Sequence, residues 1–258
     1  MKIQQSSKFL RRQRNEDPNQ FRQKVKNDEY LYSIYKLIID YAHSDLVSDL
    51  PDKSSIRILE LGSSGGITND LYPDVITSDI RISSDLDAMV DGMWLPFRDN
   101  SLDGIIAKDI LHHLPDPIKH FKEVNRTLKE GSKVVYIEPN WNFLSRIIFT
   151  IFHPEPFESN QKDWIRESKG PMDSNQALAQ IIFERDIEIF REMFPHLSVR
   201  VSDPLYGLSF LLAGGVYSRS KFPAKMLVKF ARFEGKSRIW MKLFGLNRII
   251  VLQKIVAG

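Results

Sequence analysis

The sequence predicts an α/β fold whose parallel sheet carries helices on both faces. Two apolar runs lead to this prediction: residues 56–61 end in an acid and a glycine-rich turn, and residues 75–78 end at Asp79. Apolar runs of this length, bounded by turn residues, are typical of strands that are buried on both faces. Strand-like and helical patterns then alternate up to residue 140, which indicates right-handed, doubly wound connections.

The predicted elements form a single domain over residues 1–258. Apolar residues at helical spacing predict a helical N-terminal cap within residues 1–48, which ends near His43. The core over residues 56–140 has predicted strands at 56–61, 75–78, 86–90, 104–107 and 133–137, a short helix after Gly66 and a helix at 116–128. After the core, strands at 197–201 and 248–255 are expected to pair antiparallel, and insertions are expected at 141–185 and 205–246.

The composition is that of an ordinary globular protein and excludes several kinds of chemistry. The chain has 258 residues, of which 42% are hydrophobic and 27% charged, and it contains no cysteine. Disulfides, thiolate nucleophiles and cysteine-bound zinc are therefore excluded. Residues 1–7 contain no signal-like apolar segment and no apolar run reaches the length of a bilayer span, so the expected location is the cytoplasm.

The net charge of +3 hides an uneven distribution along the chain. Residues 1–27 carry eight basic and two acidic side chains, residues 218–258 carry ten and one, and residues 28–217 carry eighteen and thirty. Basic ends on an acidic body favour an anionic partner, such as a phosphate group or a membrane surface. The alternative is a solvated surface that aids solubility.

The glycine-rich turn after the first strand predicts a nucleoside site. Small residues let the backbone approach a ligand, the next helix offers free N–H groups, and Asp79 ends the second strand, where it can bind ribose hydroxyls. The dinucleotide pattern requires glycine at its first, third and sixth positions, which here are Gly62, Ser64 and Ile67. This mismatch argues against NAD.

A family resemblance rests on five segments that occur in order. They are residues 60–66 (ELGSSGG), 91–97 (DGMWLPF), 99–103 (DNSLD), 111–117 (LHHLPDP) and 128–131 (LKEG). Together they resemble the class I S-adenosylmethionine-dependent methyltransferases of the small-molecule type, over about residues 56–140. The resemblance implies a Rossmann-like, seven-stranded sheet of order 3-2-1-4-5-7-6 with strand 7 antiparallel, S-adenosyl-L-methionine as cofactor, and methyl transfer as the activity.

The resemblance also implies which residues hold the cofactor. Asp79 would accept hydrogen bonds from both ribose hydroxyls, and Asp91 would accept one from the adenine amino group. Ser64 stands where the family has its second glycine, and a left-handed backbone there would cost on the order of 1 kcal/mol. The full set is Glu60, Gly62, Ser64, Gly66, Asp79, Asp91, Gly92 and Met93.

Candidate catalytic residues follow the fourth predicted strand. Methyl transfer depends largely on alignment of the acceptor, and a hydroxyl acceptor also needs a base for its proton. His113 is the first candidate for this base and Asp109 the second, since ligands of this fold lie beyond the carboxyl ends of the strands. The alternative for His113 is a packing or capping role. No metal site is expected, because the adjacent side chains of His112 and His113 would diverge on a helix.

The acceptor is expected to be chosen by the segments outside the core. Residues 153–157, 175–178 and 183–186 are similar to segments of uncharacterised methyltransferases from bacterial surface-polysaccharide pathways. This second resemblance implies methylation of a sugar hydroxyl on a nucleotide- or lipid-linked glycan. The expected function is therefore O-methylation of a small molecule or glycan intermediate, and phosphate- and lipid-linked acceptors are both candidates. Residues 223–244 combine aromatic, aliphatic and basic side chains, so a peripheral membrane contact is an alternative to plain core helices.

Three other functions stay open on the sequence. The chain can be a methyltransferase of a quinone or another lipid, an RNA methyltransferase, or a non-catalytic S-adenosylmethionine-binding protein. Nucleic acid is disfavoured, because the sequence shows no RNA-binding module. Lys108, Asp109 and Ile110 also stand where many base-methylating enzymes have an Asn-Pro-Pro-Tyr-like sequence. The oligomeric state is not predicted.

Overall fold

The centre of the molecule is a seven-stranded sheet. The structure is a computed structural model that describes residues 18–64, 67–151, 155–167, 170, 173–214 and 220–255. The sheet order is β3-β2-β1-β4-β5-β7-β6, and β7 runs antiparallel to both of its neighbours while the other pairs are parallel. This confirms the predicted order and direction. The strands are β1 Ile58–Leu61, β2 Val75–Asp79, β3 Ala88–Met89, β4 Leu102–Lys108, β5 Leu128–Pro139, β6 Leu197–Ser202 and β7 Asn247–Lys254.

Helices cover both faces of the sheet and its carboxyl edge. They are α1 Pro18–Lys26, α2 Glu29–Val47, α3 Thr68–Leu71, α4 Pro117–Thr127, α5 Phe143–Ile151, α6 Leu178–Gln180, α7 Ile187–Met193, α8 Leu208–Leu212, α9 Ala224–Glu234 and α10 Arg238–Phe244. A 3₁₀ turn spans Leu111–His113, and a π-helical turn spans Ile181–Arg185 between α6 and α7.

Strand β5 begins earlier than the sequence predicts. It starts at Leu128, directly after α4, and its first residue already pairs with Leu102 before the register shifts. The shift accommodates Gly131, whose φ of +79° is a left-handed conformation that glycine adopts without strain. Residues 129–132, which were predicted to end the helix, therefore belong to the strand.

Helix α2 is a layer of the core and continues past the predicted end near His43. Asp28 caps its N-terminus by accepting hydrogen bonds from the backbone of Tyr30 and Leu31, both at 3.0 Å. The apolar face of α2 is buried. Its Leu46 packs directly on Gly104 of β4, and a Cβ atom added to Gly104 would lie 2.9 Å from the Leu46 Cδ1 atom. The predicted cap therefore contributes to the fold, while residues 1–17 lie outside the described part of the chain.

The insertion over residues 205–246 lies at the carboxyl edge of the sheet. Because β7 runs antiparallel to β5, the residue before β7 stands beside the end of β5, and the Asn140 N–H donates to the Leu246 carbonyl at 2.9 Å. Helices α8, α9 and α10 therefore flank the edge where ligands of this fold bind. Within the described residues, no helix is both long enough and apolar enough to span a bilayer.

Candidate functional site

The loop after β1 has the tight backbone that the glycine-rich sequence predicts. Gly62 has a φ of +69°, and a Cβ there would stand 2.0 Å from the Ile110 Cδ1 atom. Ser64 has a φ of +43°, so it adopts the left-handed conformation expected of a glycine position. Gly66, the other predicted loop residue, lies outside the described residues. The loop therefore packs directly on the segment that follows β4.

Glu60 places a buried carboxylate beneath this loop. Its side chain is 7% exposed, and its Oε2 atom has no hydrogen-bond partner among the described residues. Burial raises the pKa of Glu60, although hydrogen bonds from Ser63 and Thr68 and the charge of Lys108 oppose the change. A buried acceptor without a partner is costly. A cationic ligand group would satisfy it.

Asp79 ends β2, and its carboxylate is held by Arg81. The Arg81 Nε and Nη2 atoms donate to Oδ1 and Oδ2 at 3.0 and 3.1 Å, and the Arg81 backbone N–H donates to Oδ1 at 2.9 Å. Oδ1 thus accepts two hydrogen bonds, so the guanidinium must turn away before both oxygens can bind ribose hydroxyls. The Arg81 side chain is 33% exposed, which leaves it a path into solvent.

The adenine candidates lie beside the ribose candidate. The Val90 N–H donates to the Asp79 carbonyl at 3.0 Å, which joins the two turns. Asp91 Oδ1 accepts from the Met93 N–H at 2.9 Å, so one carboxylate oxygen forms the turn itself. Met93 is partly buried against the core, and the Gly92 carbonyl points inward to His120. The structure therefore brings Asp79, Asp91, Gly92 and Met93 together.

His120 supports this turn from within the core. Its Nδ1 atom lies 2.7 Å from the Gly92 carbonyl and its Nε2 atom 2.8 Å from the Tyr136 hydroxyl. Both bonds are made by the neutral imidazole that donates from Nδ1 and accepts at Nε2. Burial lowers the pKa of His120 to about 4, against the opposing effect of the Gly92 carbonyl.

We expect this histidine to make folding sensitive to mild acid. In the unfolded chain His120 takes up a proton near pH 6.5, whereas in the folded chain it stays neutral down to about pH 4. His120 therefore stabilises the fold above pH 6.5, and this contribution is lost as the pH falls. Between pH 7 and pH 5 the free energy of unfolding should fall by about 2 kcal/mol more in the wild type than in His120→Gln. Urea unfolding at both pH values measures this difference. The exposed His196→Gln control should behave as the wild type, and equal pH dependence in His120→Gln would contradict the prediction.

Asp109 is paired with Lys108, a lysine whose side chain is 18% exposed. The Lys108 ammonium donates to the Asp109 carboxylate and lies 5.0 Å from the centre of the Tyr35 ring. Burial would lower the pKa of Lys108, but Asp109, Tyr35 and Tyr206 outweigh it and raise this pKa. Tyr35 comes from α2 and Tyr206 from the insertion, so both segments reach the end of β4. The Asp109 charge is thus balanced, which suits a structural ion pair better than a free base.

The 3₁₀ turn carries the histidine pair and is fixed by Glu138 at the end of β5. Glu138 is fully buried and accepts hydrogen bonds from the Ile110 and Leu111 N–H groups at 3.0 and 2.8 Å. Its second oxygen lies 2.5 Å from His112 Nδ1. Burial opposes a charge on His112, but Glu138 and Glu155 outweigh it and raise the pKa of His112 to about 10.

Glu155 and Gln176 complete this cluster from the insertion. Glu155 lies 3.6 Å from His112 Nε2 and 3.9 Å from His113 Nε2, and Gln176 donates to Glu155. Burial and the neighbouring charge of His112 lower the pKa of His113 to about 4, which keeps its imidazole neutral at pH 7. The two histidine rings lie 4.4 Å apart and both face Glu155. The prediction that the side chains of His112 and His113 diverge is therefore wrong. It assumed an α-helix, but the two residues lie in a 3₁₀ turn.

Several residues that form the site were not identified from the sequence. Arg81, Lys108, His120 and Gln176 each contact a predicted residue, yet none stands in a motif that signals its role. The aromatic residues Trp141, Phe157 and Trp164 pack against the core.

Comparison with known proteins identifies a methyltransferase domain within the chain. A family model described as a methyltransferase domain matches residues 69–136. Over these residues the chain is similar to S-adenosylmethionine-dependent methyltransferases. The match includes Asp79, the turn at residues 91–93 and the histidine pair, and S-adenosyl-L-methionine is the cofactor of the family. The buried Glu60 oxygen and the close-packed loop at Gly62 fit such a cofactor, whose methionine moiety carries an ammonium group.

The relatives of this methyltransferase are distant. The demethylmenaquinone methyltransferase of Staphylococcus epidermidis is 29% identical over 105 residues, which are 36% of this chain and 44% of the relative. The chain thus matches less than half of the length of its curated relatives. A SAM-dependent methyltransferase structure from Archaeoglobus fulgidus is 15% identical, covers 86% of this chain and 99% of its own, and has a TM-score of 0.49. The geranyl diphosphate C-methyltransferase of Streptomyces coelicolor is 13% identical, with coverages of 92% and 84% and a TM-score of 0.47.

Removal of the Asp79 carboxylate tests the ribose assignment. We expect Asp79→Ala to weaken binding of S-adenosylhomocysteine by about 1.5–3 kcal/mol, the scale of hydrogen bonds to a charged group. Calorimetric titration measures the affinity, and NAD serves as the ligand that should not bind. Asp85→Ala, which removes a carboxylate that is 38% exposed in the same loop, should leave the affinity unchanged. Equal affinities in the two variants would overturn the ribose assignment.

Proposed function

We propose that this chain transfers a methyl group from S-adenosylmethionine to a hydroxyl oxygen of a small molecule or glycan intermediate. The observation that supports this proposal is the position of the histidine cluster. Ile110 fills the space beside Gly62 in the cofactor loop, and His112 and His113 follow it by two and three residues. A proton acceptor therefore stands next to the expected place of the reacting methyl group.

The residues that hold the cofactor divide its recognition among three strand ends. Glu60 would face the ammonium of the methionine moiety, Asp79 the ribose hydroxyls and Asp91 the adenine amino group. Bound S-adenosylmethionine supplies a methyl group that is already activated by its sulfonium, so the protein mainly has to align the acceptor. Lys108 balances the negative charge of Glu60 and Asp109 at this edge.

His113 is the residue that we propose to take the acceptor proton, with Asp109 as the second candidate. The His113 Nδ1 atom is buried without a hydrogen-bond partner among the described residues, so it would accept a hydrogen bond from an acceptor hydroxyl once the side chains that cover it move aside. Asp109 is already bound to Lys108, which competes for its lone pairs. A base within hydrogen-bond reach contributes about a hundred-fold or more to proton transfer.

A methylation assay with S-adenosylmethionine labelled in its methyl group tests this function. The acceptor panel contains nucleotide-linked sugars, lipid-linked sugars, hydroquinones and RNA, and the labelled atom is identified in each product. We expect label on a hydroxyl oxygen, and about a hundred-fold lower turnover in His113→Ala with unchanged affinity for S-adenosylhomocysteine. The exposed His196→Ala is the matched control. Label on carbon or nitrogen, or cofactor binding without turnover on any acceptor, would overturn the proposal.

The surface of α9 and α10 supports a lipid-linked acceptor at a membrane. Phe233, Ile239 and Leu243 are 61%, 75% and 57% exposed, and they stand among basic residues. Residues 220–255 contain one acidic residue, Glu234. Its side chain points inward and accepts hydrogen bonds from the Leu208 and Ser209 N–H groups, so it does not offset the basic surface. Exposed apolar side chains among Lys and Arg favour the interface of an anionic bilayer. The basic residues are Lys221, Lys225, Lys229, Arg232, Lys236, Arg238 and Lys242.

Vesicle co-sedimentation tests the proposed membrane contact. We expect binding to vesicles that contain phosphatidylglycerol, weaker binding to pure phosphatidylcholine, and loss of binding at high salt. The triple variant Phe233→Ser, Ile239→Ser, Leu243→Ser should lose most of the bound fraction. Ile189→Ser, which removes a side chain that is 51% exposed on α7, is the control. Equal binding by the triple variant and the control would exclude this surface.

A further inference from the structure

The cluster of His112, His113 and Glu155 has the composition of a metal centre. Their ligand atoms, two imidazole nitrogens and a carboxylate oxygen, all lie within 4.8 Å of one another, and Glu155 and His112 are almost completely buried. Two histidines and one glutamate are a ligand set of catalytic zinc sites, in which the fourth position stays open for water or substrate. We propose that these three side chains bind a divalent first-row transition-metal ion, of which Zn²⁺ is the best fit.

The spacing within the cluster suits an ion better than direct hydrogen bonds. Glu155 oxygens lie 3.6 Å from His112 Nε2 and 3.9 Å from His113 Nε2, which is too long for a hydrogen bond. Two ligand atoms that each lie about 2.1 Å from a tetrahedral ion stand about 3.4 Å apart. The three ligand atoms lie within 4.8 Å of one another, so they have to move closer together to reach that separation.

Glu138 orients His112 in the way that metal sites use. It lies 2.5 Å from His112 Nδ1, so Nε2 is the ring nitrogen that faces Glu155. A metal-bound histidine typically donates its other ring N–H to a carboxylate, which fixes the ring and makes it a stronger ligand. Glu138 is itself fixed by the Ile110 and Leu111 N–H groups, so this arrangement is rigid.

Gln176 gives an independent indication that a ligand is missing. Its side chain is 3% exposed and its Nε2 atom lies 3.2 Å from His112 Nε2, while its Oε1 atom has no hydrogen-bond partner among the described residues. The nitrogen and oxygen of an amide are assigned from their surroundings. The same Nε2 atom donates to Glu155, so turning the amide over would bring Oε1 beside the Glu155 carboxylate and His112 Nε2, where a cation between these atoms would stabilise it.

The ligand types also select the class of metal. Imidazole nitrogen favours zinc and its transition-metal neighbours, whereas Mg²⁺ and Ca²⁺ favour oxygen ligands. An ion at this place would lower the pKa of a hydroxyl that enters its open position. With the ion bound, the metal replaces the proton that His112 otherwise holds, and His113 would be a ligand that positions the acceptor through the ion and no longer the group that takes its proton. Only this role rests on the proposed function, because the site itself is argued from the geometry of the cluster.

Metal binding by the tag-free full-length chain tests the site. After dialysis against a chelator, the protein is titrated with Zn²⁺ by calorimetry and with Co²⁺ by visible absorption. We expect one ion per chain, and at least ten-fold weaker binding in Glu155→Gln and in His113→Ala. The exposed residues Glu158 and His196 provide matched controls, Glu158→Gln and His196→Ala, which should bind as the wild type does. Absence of binding in the wild type, or equal binding in all variants, would overturn the inference.

Two further measurements separate a failed site from a failed fold or a failed function. Binding of S-adenosylhomocysteine shows that each variant is folded, and His113→Ala carries the test if Glu155→Gln does not fold, since the His113 side chain is 19% exposed. If the protein binds no metal and still methylates a hydroxyl fully after chelation, the metal site is wrong and the proposed function stands. If the protein binds the metal but methylates no hydroxyl, the metal site stands and the proposed function is wrong.

Discussion

Glu138→Ala is expected to lower the free energy of unfolding by about 3–5 kcal/mol. The substitution removes the acceptor of two buried backbone N–H groups, on Ile110 and Leu111, and the partner of His112. An unsatisfied buried donor costs about 1–3 kcal/mol, and the loss of one member of a buried ion pair costs about 3–5 kcal/mol. Because the three partners share one carboxylate, these costs are not additive. Urea unfolding at pH 7 measures the loss.

Two variants separate the carboxylate from its position in the strand. Glu138→Gln keeps an acceptor for the backbone groups but removes the charge beside His112, so it should lose less stability than Glu138→Ala. Glu130→Ala removes an exposed glutamate from the same strand and should stay within about 0.5 kcal/mol of the wild type. If Glu138→Ala lost less than about 1 kcal/mol, water would have to replace the carboxylate, and the turn of the histidine pair would not depend on it.

The parts of the fold that the sequence predicts are those that local patterns determine. The largely apolar runs that became β1 and β2 are short and end in turn residues, so both their position and their buried state could be inferred. The first residues of β5 could not, because Leu128 pairs with Leu102 only through a register shift that the left-handed Gly131 allows. That pairing joins segments that are distant in sequence.

The candidate site shows the same division. Asp79 and Asp91 follow strand ends directly, so their neighbourhood was predictable from spacing. Glu155 follows α5 in sequence and reaches the histidine pair only through tertiary packing, so no local pattern predicts that it lies beside the pair. The conformation of the pair also depends on Glu138, whose hydrogen bonds to Ile110 and Leu111 favour a 3₁₀ turn. A prediction of the His112 and His113 side-chain directions that assumes an α-helix is therefore wrong here.

The substitution Gly62→Ala should weaken binding of S-adenosylhomocysteine at least ten-fold, which is about 1.4 kcal/mol or more. The new methyl group would stand 2.0 Å from Ile110 Cδ1 and 2.7 Å from Ile110 Cγ1, so either the loop or Ile110 has to move. Movement of the loop displaces the backbone that approaches the cofactor. Movement of Ile110 disturbs the turn that leads to the histidine pair. Calorimetric titration measures the affinity, and thermal unfolding measures the accompanying loss of stability.

A control glycine separates this steric effect from backbone strain. Gly62 and Gly131 have similar φ angles, +69° and +79°, but a Cβ at Gly131 would meet nothing within 4 Å. Gly131→Ala should therefore cost about 1 kcal/mol of stability through strain and leave cofactor affinity unchanged. The double variant Gly62→Ala, Ile110→Ala restores the space and should recover part of the affinity that Gly62→Ala loses. If the double variant bound no better than the single variant, the contact with Ile110 would not be what makes glycine necessary at position 62.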